Sequence, residues 1–226
     1  QEPVKNIIYM IGDGMGLSSV SMMQLVNSYE PTIFDQAENI ALQKTYSADN
    51  RVTDSAASGT ALATGSKTKN GYLGVEMDTT IVYSVAHAAK EAGYAVGVSS
   101  TVSVSHATPG AFYAHQPGRS RYYEIGKDMV TAGYDFYAGG DLIGSEENRN
   151  EVYQSAQEQG YTIARGIEDY KQNGKNAKKL MLYQKEVATE LPYAIDREDG
   201  DLTLAQITET GIEYLSQKSK KGFFFM

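Results

Sequence analysis

The sequence contains no cysteine, no excess of positive charge and no long apolar run, and each absence excludes a class of site or protein. Without cysteine, the 226-residue chain can form neither disulfides nor thiolate metal sites. A formal net charge of -8 leaves no basic surface to neutralise the phosphates of a nucleic acid. No apolar run approaches the roughly 20 residues needed to cross a bilayer, so no membrane span is predicted. An anionic ligand must therefore be attracted by a local positive group or a bound metal ion.

Apolar segments and glycines alternate along the chain in a pattern typical of α/β proteins. Residues 4–11 predict a buried strand that ends in a tight turn. A helical segment, a glycine and a further strand follow one another at residues 81–99, 121–138 and 147–164. The pattern predicts a single α/β domain over residues 1–226, with a mostly parallel central sheet and helices on both faces. Ligands of such sheets bind beyond the carboxyl ends of the strands.

The C-terminal part of the sequence predicts one more helix between two strands. Residues 179–183 form the first strand, residues 202–217 form an amphipathic helix, and residues 223–226 begin a buried strand. Because a chain end of four large apolar residues would invite aggregation, we expect the sequence to continue beyond Met226.

A glycine-rich turn after the first strand carries the first residue of chemical interest, Asp13. The spacing of a dinucleotide-binding loop is not met, since Gly12, Gly14 and Gly16 simply alternate. Asp13 is either a hard oxygen ligand for a metal ion at the edge of the sheet or a turn residue that bonds its own backbone.

Asp54 and Ser55 precede an alanine-rich helix that is predicted to begin at Ala56 and to stop at Gly65. Either side chain could act as a helix N-cap. Alternatively, the Ser55 hydroxyl lies where amide N–H groups and the helix dipole favour an anion such as phosphate. A free serine is a poor nucleophile, so this second interpretation requires a base or a metal ion.

A third cluster, at residues 105–119, follows the next strand and includes His106, Thr108 and Arg119. Taken alone, the histidine could be a capping or core residue and the arginine a solvated surface charge.

Together the three clusters resemble motifs of alkaline phosphatases, and they occur along the chain in the same order as in that family. They read Asp-Gly-Met-Gly after the first strand, Thr-Asp-Ser-Ala-Ala-Ser before a helix, and His-Ala-Thr-Pro-x-x-Phe-Tyr-Ala-His-x-x-x-Arg. The resemblance covers nearly the whole chain, as the N-terminal part of a larger catalytic domain. It implies hydrolysis of phosphate monoesters at a site with two zinc ions and one magnesium ion. It also implies a periplasmic or secreted protein, often a homodimer, in which Gln1 follows a removed signal peptide.

The resemblance implies a catalytic role for three residues. Ser55 matches the nucleophile that forms the phosphoserine intermediate, and Arg119 matches the arginine that binds the phosphate. Asp54 matches the neighbour that orients this arginine.

The resemblance also implies metal ligands. Asp13 matches the carboxylate that bridges one zinc and the magnesium, and Ser55 binds that same zinc through its hydroxyl oxygen. Thr108 matches the hydroxyl ligand of magnesium, and His106 belongs to the magnesium region, where the family carries Asp or His.

The sequence contains few histidines that could bind zinc. The three histidines are His87, in a predicted helix, His106, and His115, which matches a family histidine that is not a zinc ligand. In the family, the remaining ligands follow the strand that begins at residue 223. We therefore expect the 226-residue chain by itself to lack a complete metal site and to be inactive.

Other functions remain open at this point. Sulfatases, phosphodiesterases and phosphoglycerate mutases share the metal scaffold, but Ala57 stands where a sulfatase carries proline, and Arg119 favours monoesters. A non-catalytic phosphate-binding or regulatory module is the alternative from another class.

Overall fold

The computed structural model describes residues 4–226, so the expectation for Gln1 lies outside the described residues. The strands are β1 (Asn6–Ile8), β2 (Ala95–Ser103), β3 (Phe136–Gly140), β4 (Tyr161–Arg165), β5 (Lys179–Tyr183) and β6 (Phe223–Phe225). The helices are α1 (Leu17–Val26), α2 (Ser55–Thr64), α3 (Val85–Glu91), α4 (Ala107–Gly110), α5 (Tyr122–Ala132), α6 (Glu146–Glu158), α7 (Gly166–Asp169) and α8 (Leu204–Ser216). Within residues 4–226, no helix has the length and apolar character needed to span a membrane.

The six strands form one sheet in the order β1-β6-β2-β3-β5-β4, and every neighbouring pair is parallel. The predicted parallel α/β sheet is therefore confirmed. The apolar strand β6 pairs with β1 on one side and β2 on the other, and none of its three phenylalanines is more than 2% exposed. A strand that is covered on both faces is apolar at every position, which explains the apolar run at residues 223–226.

Helices cover both faces of the sheet, as predicted. Phe224 belongs to a core cluster that includes Ala86 of α3 and Ile125 of α5. Phe223 and Phe225 point to the opposite face, where they belong to a second cluster with residues of α8. Successive residues of a strand alternate between faces, so one short strand contributes to both cores.

The N-terminal strand is shorter and less buried than predicted. Residues 4–11 predict a buried strand, but β1 covers three residues, and Ile7 and Ile8 are 42% and 48% exposed. Among the described residues β1 pairs with β6 alone, so it forms an edge of the sheet. The apolar pattern indicates what a strand can bury, whereas its position in the sheet decides what it does bury.

Helix boundaries follow the capping residues. The helix predicted from residue 81 begins only at Val85, because Ser84 caps it by accepting a hydrogen bond from the His87 N–H. Gly65 and Gly133 end α2 and α5 as predicted, with φ values of 79° and 63° that favour glycine.

A capping box at the start of α8 gives a first testable prediction. Thr203 and Gln206 exchange hydrogen bonds between side chain and backbone, at 3.0 and 3.1 Å. Replacing Thr203 with alanine leaves the Gln206 N–H without its acceptor and is expected to lower the free energy of unfolding by about 1 kcal/mol. Urea unfolding followed by circular dichroism measures the change. Ser216→Ala, at the exposed end of the same helix, is the control; an equal loss in both variants would contradict the role of the cap.

Candidate active site

The predicted site residues come together at the carboxyl edge of the sheet. Asp13 follows β1, while His106 and Thr108 follow β2, and these strands run parallel on either side of β6. All three residues line a cavity of about 470 Å³. The carboxyl ends of parallel strands meet at one edge, so residues far apart in sequence become neighbours there.

The Asp13 carboxylate connects two of the other predicted residues. Its Oδ1 accepts a hydrogen bond from Ser55 Oγ at 3.2 Å, across 42 residues of sequence. Its Oδ2 accepts a hydrogen bond from Thr108 Oγ1 at 2.8 Å, across 95 residues. The alternative of a turn aspartate that bonds its own backbone is therefore replaced by long-range contacts to two hydroxyl groups.

The Asp54 carboxylate caps α2 and also contacts Arg119. Its Oδ1 caps α2 by accepting a hydrogen bond from the Ala57 N–H at 2.9 Å. Its Oδ2 accepts a hydrogen bond from Arg119 Nη1 at 3.1 Å, and the two side chains are 24% and 32% exposed. Since Ser55 is the first residue of α2, the serine hydroxyl lies at a helix N-terminus whose cap holds an arginine.

Close packing of α2 on α4 brings Thr108 into the site. A Cβ atom placed on Gly59 would lie 3.1 Å from the Ala111 Cβ and 3.5 Å from the Thr108 Cα. The missing side chain therefore allows the two helices to approach each other, which places the Thr108 hydroxyl within reach of Asp13.

His106 occupies the N-cap position of α4 but makes no capping hydrogen bond with its side chain. Partial burial lowers the pKa of its imidazole, and the charge of Arg119 lowers it further, while the carboxylates of Asp13 and Glu190 act in the opposite direction. At neutral pH the imidazole is therefore uncharged and keeps a lone pair at the cavity.

The other two histidines, His87 and His115, lie together at a second cavity. Tyr83 stacks on His87 with ring centroids 4.4 Å apart, and it contacts His115 edge-on at 5.2 Å. Both histidines line a smaller cavity of about 270 Å³ that does not include the residues around Asp13.

The donor atoms around Asp13 indicate which metal they suit. Asp13, Ser55 and Thr108 supply one carboxylate and two hydroxyl groups, and such hard oxygen atoms are the ligands that magnesium prefers. In the part of the chain that the structure describes, no group of three or more His, Cys, Asp or Glu side chains is placed to hold a metal ion. A tetrahedral zinc site therefore does not fit these residues alone.

Two contacts at Asp54 were not predicted from the sequence. The Gly71 N–H donates to Asp54 Oδ2 at 3.0 Å, and the side chain of Asn70 accepts a hydrogen bond from the Asp54 N–H at 3.1 Å. The Asn-Gly dipeptide is a recognised turn signal in sequence, but a turn signal does not say which distant residues the turn contacts.

Comparisons with known proteins agree on one family. A family profile described as alkaline phosphatase matches residues 4–134. Alkaline phosphatase 3 of Bacillus subtilis (strain 168) is 34% identical over 240 aligned residues, which cover 100% of this chain and 51% of the relative. The tissue-nonspecific alkaline phosphatase of Felis catus is 30% identical, with 99% and 53% covered. The chain thus spans about half the length of these curated relatives.

Solved structures give the same result for the fold. Alkaline phosphatase from the Antarctic bacterium TAB5 superposes with a TM-score of 0.85 and 32% identity, covering 98% of this chain and 63% of that one. The cold-active enzyme of Shewanella sp. gives 0.86 and 32%, covering 97% and 55%. A TAB5 variant with glutamate in place of a histidine has magnesium bound in its M3 site. With its three motifs joined at one sheet edge, and with sequence and fold matched over nearly its whole length, this chain belongs to the alkaline phosphatase family.

Proposed function

We propose that this chain supplies the nucleophile and the phosphate-binding arginine for hydrolysis of phosphate monoesters. The observation that supports the proposal is the convergence of Ser55 and Thr108 on Asp13, next to an arginine held by Asp54. Because the chain spans about half of its relatives, the activity of a whole alkaline phosphatase is a proposal for the protein that contains these residues.

In the proposed reaction, Ser55 Oγ attacks phosphorus, the ester P–O bond breaks, and the alcohol leaves with a proton. Water then attacks the phosphoserine, which releases inorganic phosphate and restores the serine hydroxyl. Arg119 makes one hydrogen bond to Asp54 and retains further N–H donors, which can bind two phosphate oxygens side by side. Asp13 holds the Ser55 hydroxyl in place before the attack.

We propose that Asp13 and Thr108 bind magnesium, with His106 at the same cavity, and that Asp13 and Ser55 contribute to one of two zinc sites. The oxygen donors support the magnesium site, whereas the zinc sites need ligands that the described residues do not bring together. A divalent cation at Asp13 would supply the positive charge that lowers the pKa of a coordinated hydroxyl group.

The proposal predicts that the 226-residue chain binds phosphate but turns over poorly. With zinc and magnesium added, we expect calorimetry to detect binding of inorganic phosphate. Hydrolysis of p-nitrophenyl phosphate should be at least about 10³-fold slower than that of Bacillus alkaline phosphatase 3 measured in parallel, because the metal ligands are incomplete. Comparable turnover would contradict the proposed metal requirement. Preference for bis(p-nitrophenyl) phosphate over the monoester would contradict the proposed substrate class.

A non-catalytic phosphate-binding module is the second candidate. It is favoured by one observation: the described residues assemble groups suited to phosphate but no group of three or more His, Cys, Asp or Glu side chains that could hold a metal ion. Phosphate binding without hydrolysis, even after the chain is joined to the second half of the Bacillus relative, would support it.

Location and assembly are proposed from the family resemblance. We propose an exported, periplasmic or secreted protein that can form a homodimer. Cell fractionation and light scattering of the purified protein test these two statements separately.

A further inference from the structure

The Asn70–Gly71 turn holds the backbone just before the candidate nucleophile. Asn70 Oδ1 accepts a hydrogen bond from the Asp54 N–H at 3.1 Å, and its Nδ2 donates to the Val52 carbonyl at 3.0 Å. One amide side chain thus braces both ends of the three-residue segment that leads into α2. Because α2 begins at Ser55, the braced segment leads directly into the serine.

The turn itself is anchored on its other side. The Asn70 N–H donates to Asp49 Oδ1 at 3.0 Å, and Ser47 Oγ donates to the same oxygen at 3.0 Å. The hydrogen bond from Asn70 is the main cause of a lowered pKa at the Asp49 carboxyl, so the anchor stays ionised at neutral pH.

Gly71 extends the brace to the arginine. Its N–H donates to Asp54 Oδ2 at 3.0 Å, and Arg119 Nη1 contacts this same oxygen at 3.1 Å. Ala57 fixes the other carboxylate oxygen from within α2. The turn and the helix therefore hold the carboxylate through contacts that do not involve the arginine. Gly71 has a φ of 87° with no atom within 4 Å of a hypothetical Cβ, so conformation rather than space favours glycine there.

We propose that Asn70 is a positioning residue for phosphate binding, which acts through Asp54 on Ser55 and Arg119. The proposal rests on the proposed function, because it concerns the groups that would hold the phosphate. Asn70 bonds the backbone and not Arg119, so its effect is geometric: it sets the distance and angle between the nucleophile and the guanidinium. Displacements of about 1 Å at such groups are enough to change rates about 100-fold.

The test compares Asn70→Ala with the near-isosteric Asn70→Asp in the 226-residue chain. Alanine removes both hydrogen bonds of the side chain. Aspartate keeps the acceptor for the Asp54 N–H but places a carboxylate oxygen against the Val52 carbonyl. Asn173→Ala is the matched control, since the Asn173 side chain donates to Asp169 on the exposed surface after β4.

Two readouts are independent of turnover. Nitrogen-15 NMR follows the Nε–H signal of Arg119, assigned with Arg119→Lys, and hydrogen exchange follows the amide of Ala57 that the Asp54 cap protects. Calorimetry with inorganic phosphate and magnesium then gives the Kd for phosphate, with samples of equal folded fraction compared.

For Asn70→Ala we expect a shifted or broadened Arg119 signal, about tenfold faster exchange at Ala57 and about tenfold weaker phosphate binding. Asn70→Asp should give smaller changes of the same kind, and Asn173→Ala none.

The outcomes distinguish the positioning role of Asn70 from the proposed function. If either folded Asn70 variant keeps the wild-type Arg119 signal, Ala57 exchange rate and phosphate affinity, the positioning role is wrong. Should Asn70→Ala fail to fold, Asn70→Asp carries the same test. If the NMR and exchange changes occur but wild-type protein binds no phosphate, the proposed function falls while the positioning of Arg119 is supported.

Discussion

Replacement of Ser55 with alanine is expected to lower phosphate monoester hydrolysis by about 10³-fold or more, which corresponds to about 4 kcal/mol of transition-state stabilisation. The variant lacks the oxygen that would form the phosphoserine, whereas the helix N-terminus and Arg119 remain to bind phosphate. We therefore expect kcat to fall far more than phosphate affinity. The assay uses p-nitrophenyl phosphate and this sequence joined to the part of Bacillus alkaline phosphatase 3 that it does not cover.

Ser58 offers a matched control for this experiment. It lies one turn further along the same helix, and its hydroxyl donates to the Asp54 carbonyl at 2.8 Å instead of contacting Asp13. Ser58→Ala should change kcat less than about tenfold. Equal rates for the Ser55 variant and the unchanged protein, or covalent phosphate found by mass spectrometry in the Ser55 variant, would contradict Ser55 as the nucleophile.

Breaking the partly buried ion pair between Asp141 and Arg165 is expected to cost about 2 kcal/mol of unfolding free energy. Asp141 is fully buried directly after β3, and its Oδ2 accepts a hydrogen bond from Arg165 Nη1 at 2.7 Å, at the end of β4. Tyr153 donates its hydroxyl proton to Asp141 Oδ1, and burial together with this bond raises the pKa of the tyrosine, so it remains a donor. Asp141→Asn keeps the size of the side chain but leaves the guanidinium without its charged partner.

Urea unfolding of Asp141→Asn measures the loss, and two further variants identify its cause. Glu168→Gln breaks the exposed ion pair between Glu168 and Lys171, in which the Glu168 side chain is 78% exposed and the Lys171 side chain 59%. This variant should lose less than about 0.5 kcal/mol of unfolding free energy. The triple variant Asp141→Leu, Arg165→Met and Tyr153→Phe removes both charges and the hydroxyl that donates to Asp141, and it should recover part of the lost stability. Equal midpoints for Asp141→Asn and Glu168→Gln would contradict a stabilising role of the Asp141–Arg165 pair.

Much of the candidate site was predictable because its residues lie at places that a sequence marks. Asp13 follows an apolar strand in a glycine turn, and Ser55 precedes an alanine-rich helix that stops at Gly65. These are local signals: the structure has the turn at Asp13 and the helix end at Gly65, but the helix begins at Ser55, one residue earlier than predicted. The contact between Arg119 and Asp54 was expected from the family resemblance, and the structure has it as a hydrogen bond. Neither the catalytic roles nor the metal ligands follow from these contacts alone, so they remain predictions.

The sequence by itself determined the alternation of strands and helices, the glycine stops and the residue types available for chemistry. The tertiary structure alone decided that the last strand pairs between β1 and β2, that β1 lies at an edge, and that Asn70 braces Asp54. It also decided that Asp141 and Arg165 meet across β5, the strand that separates β3 from β4. The reason is physical: periodicity reports which face of one element can be buried, while strand order and long-range hydrogen bonds depend on how all elements pack together.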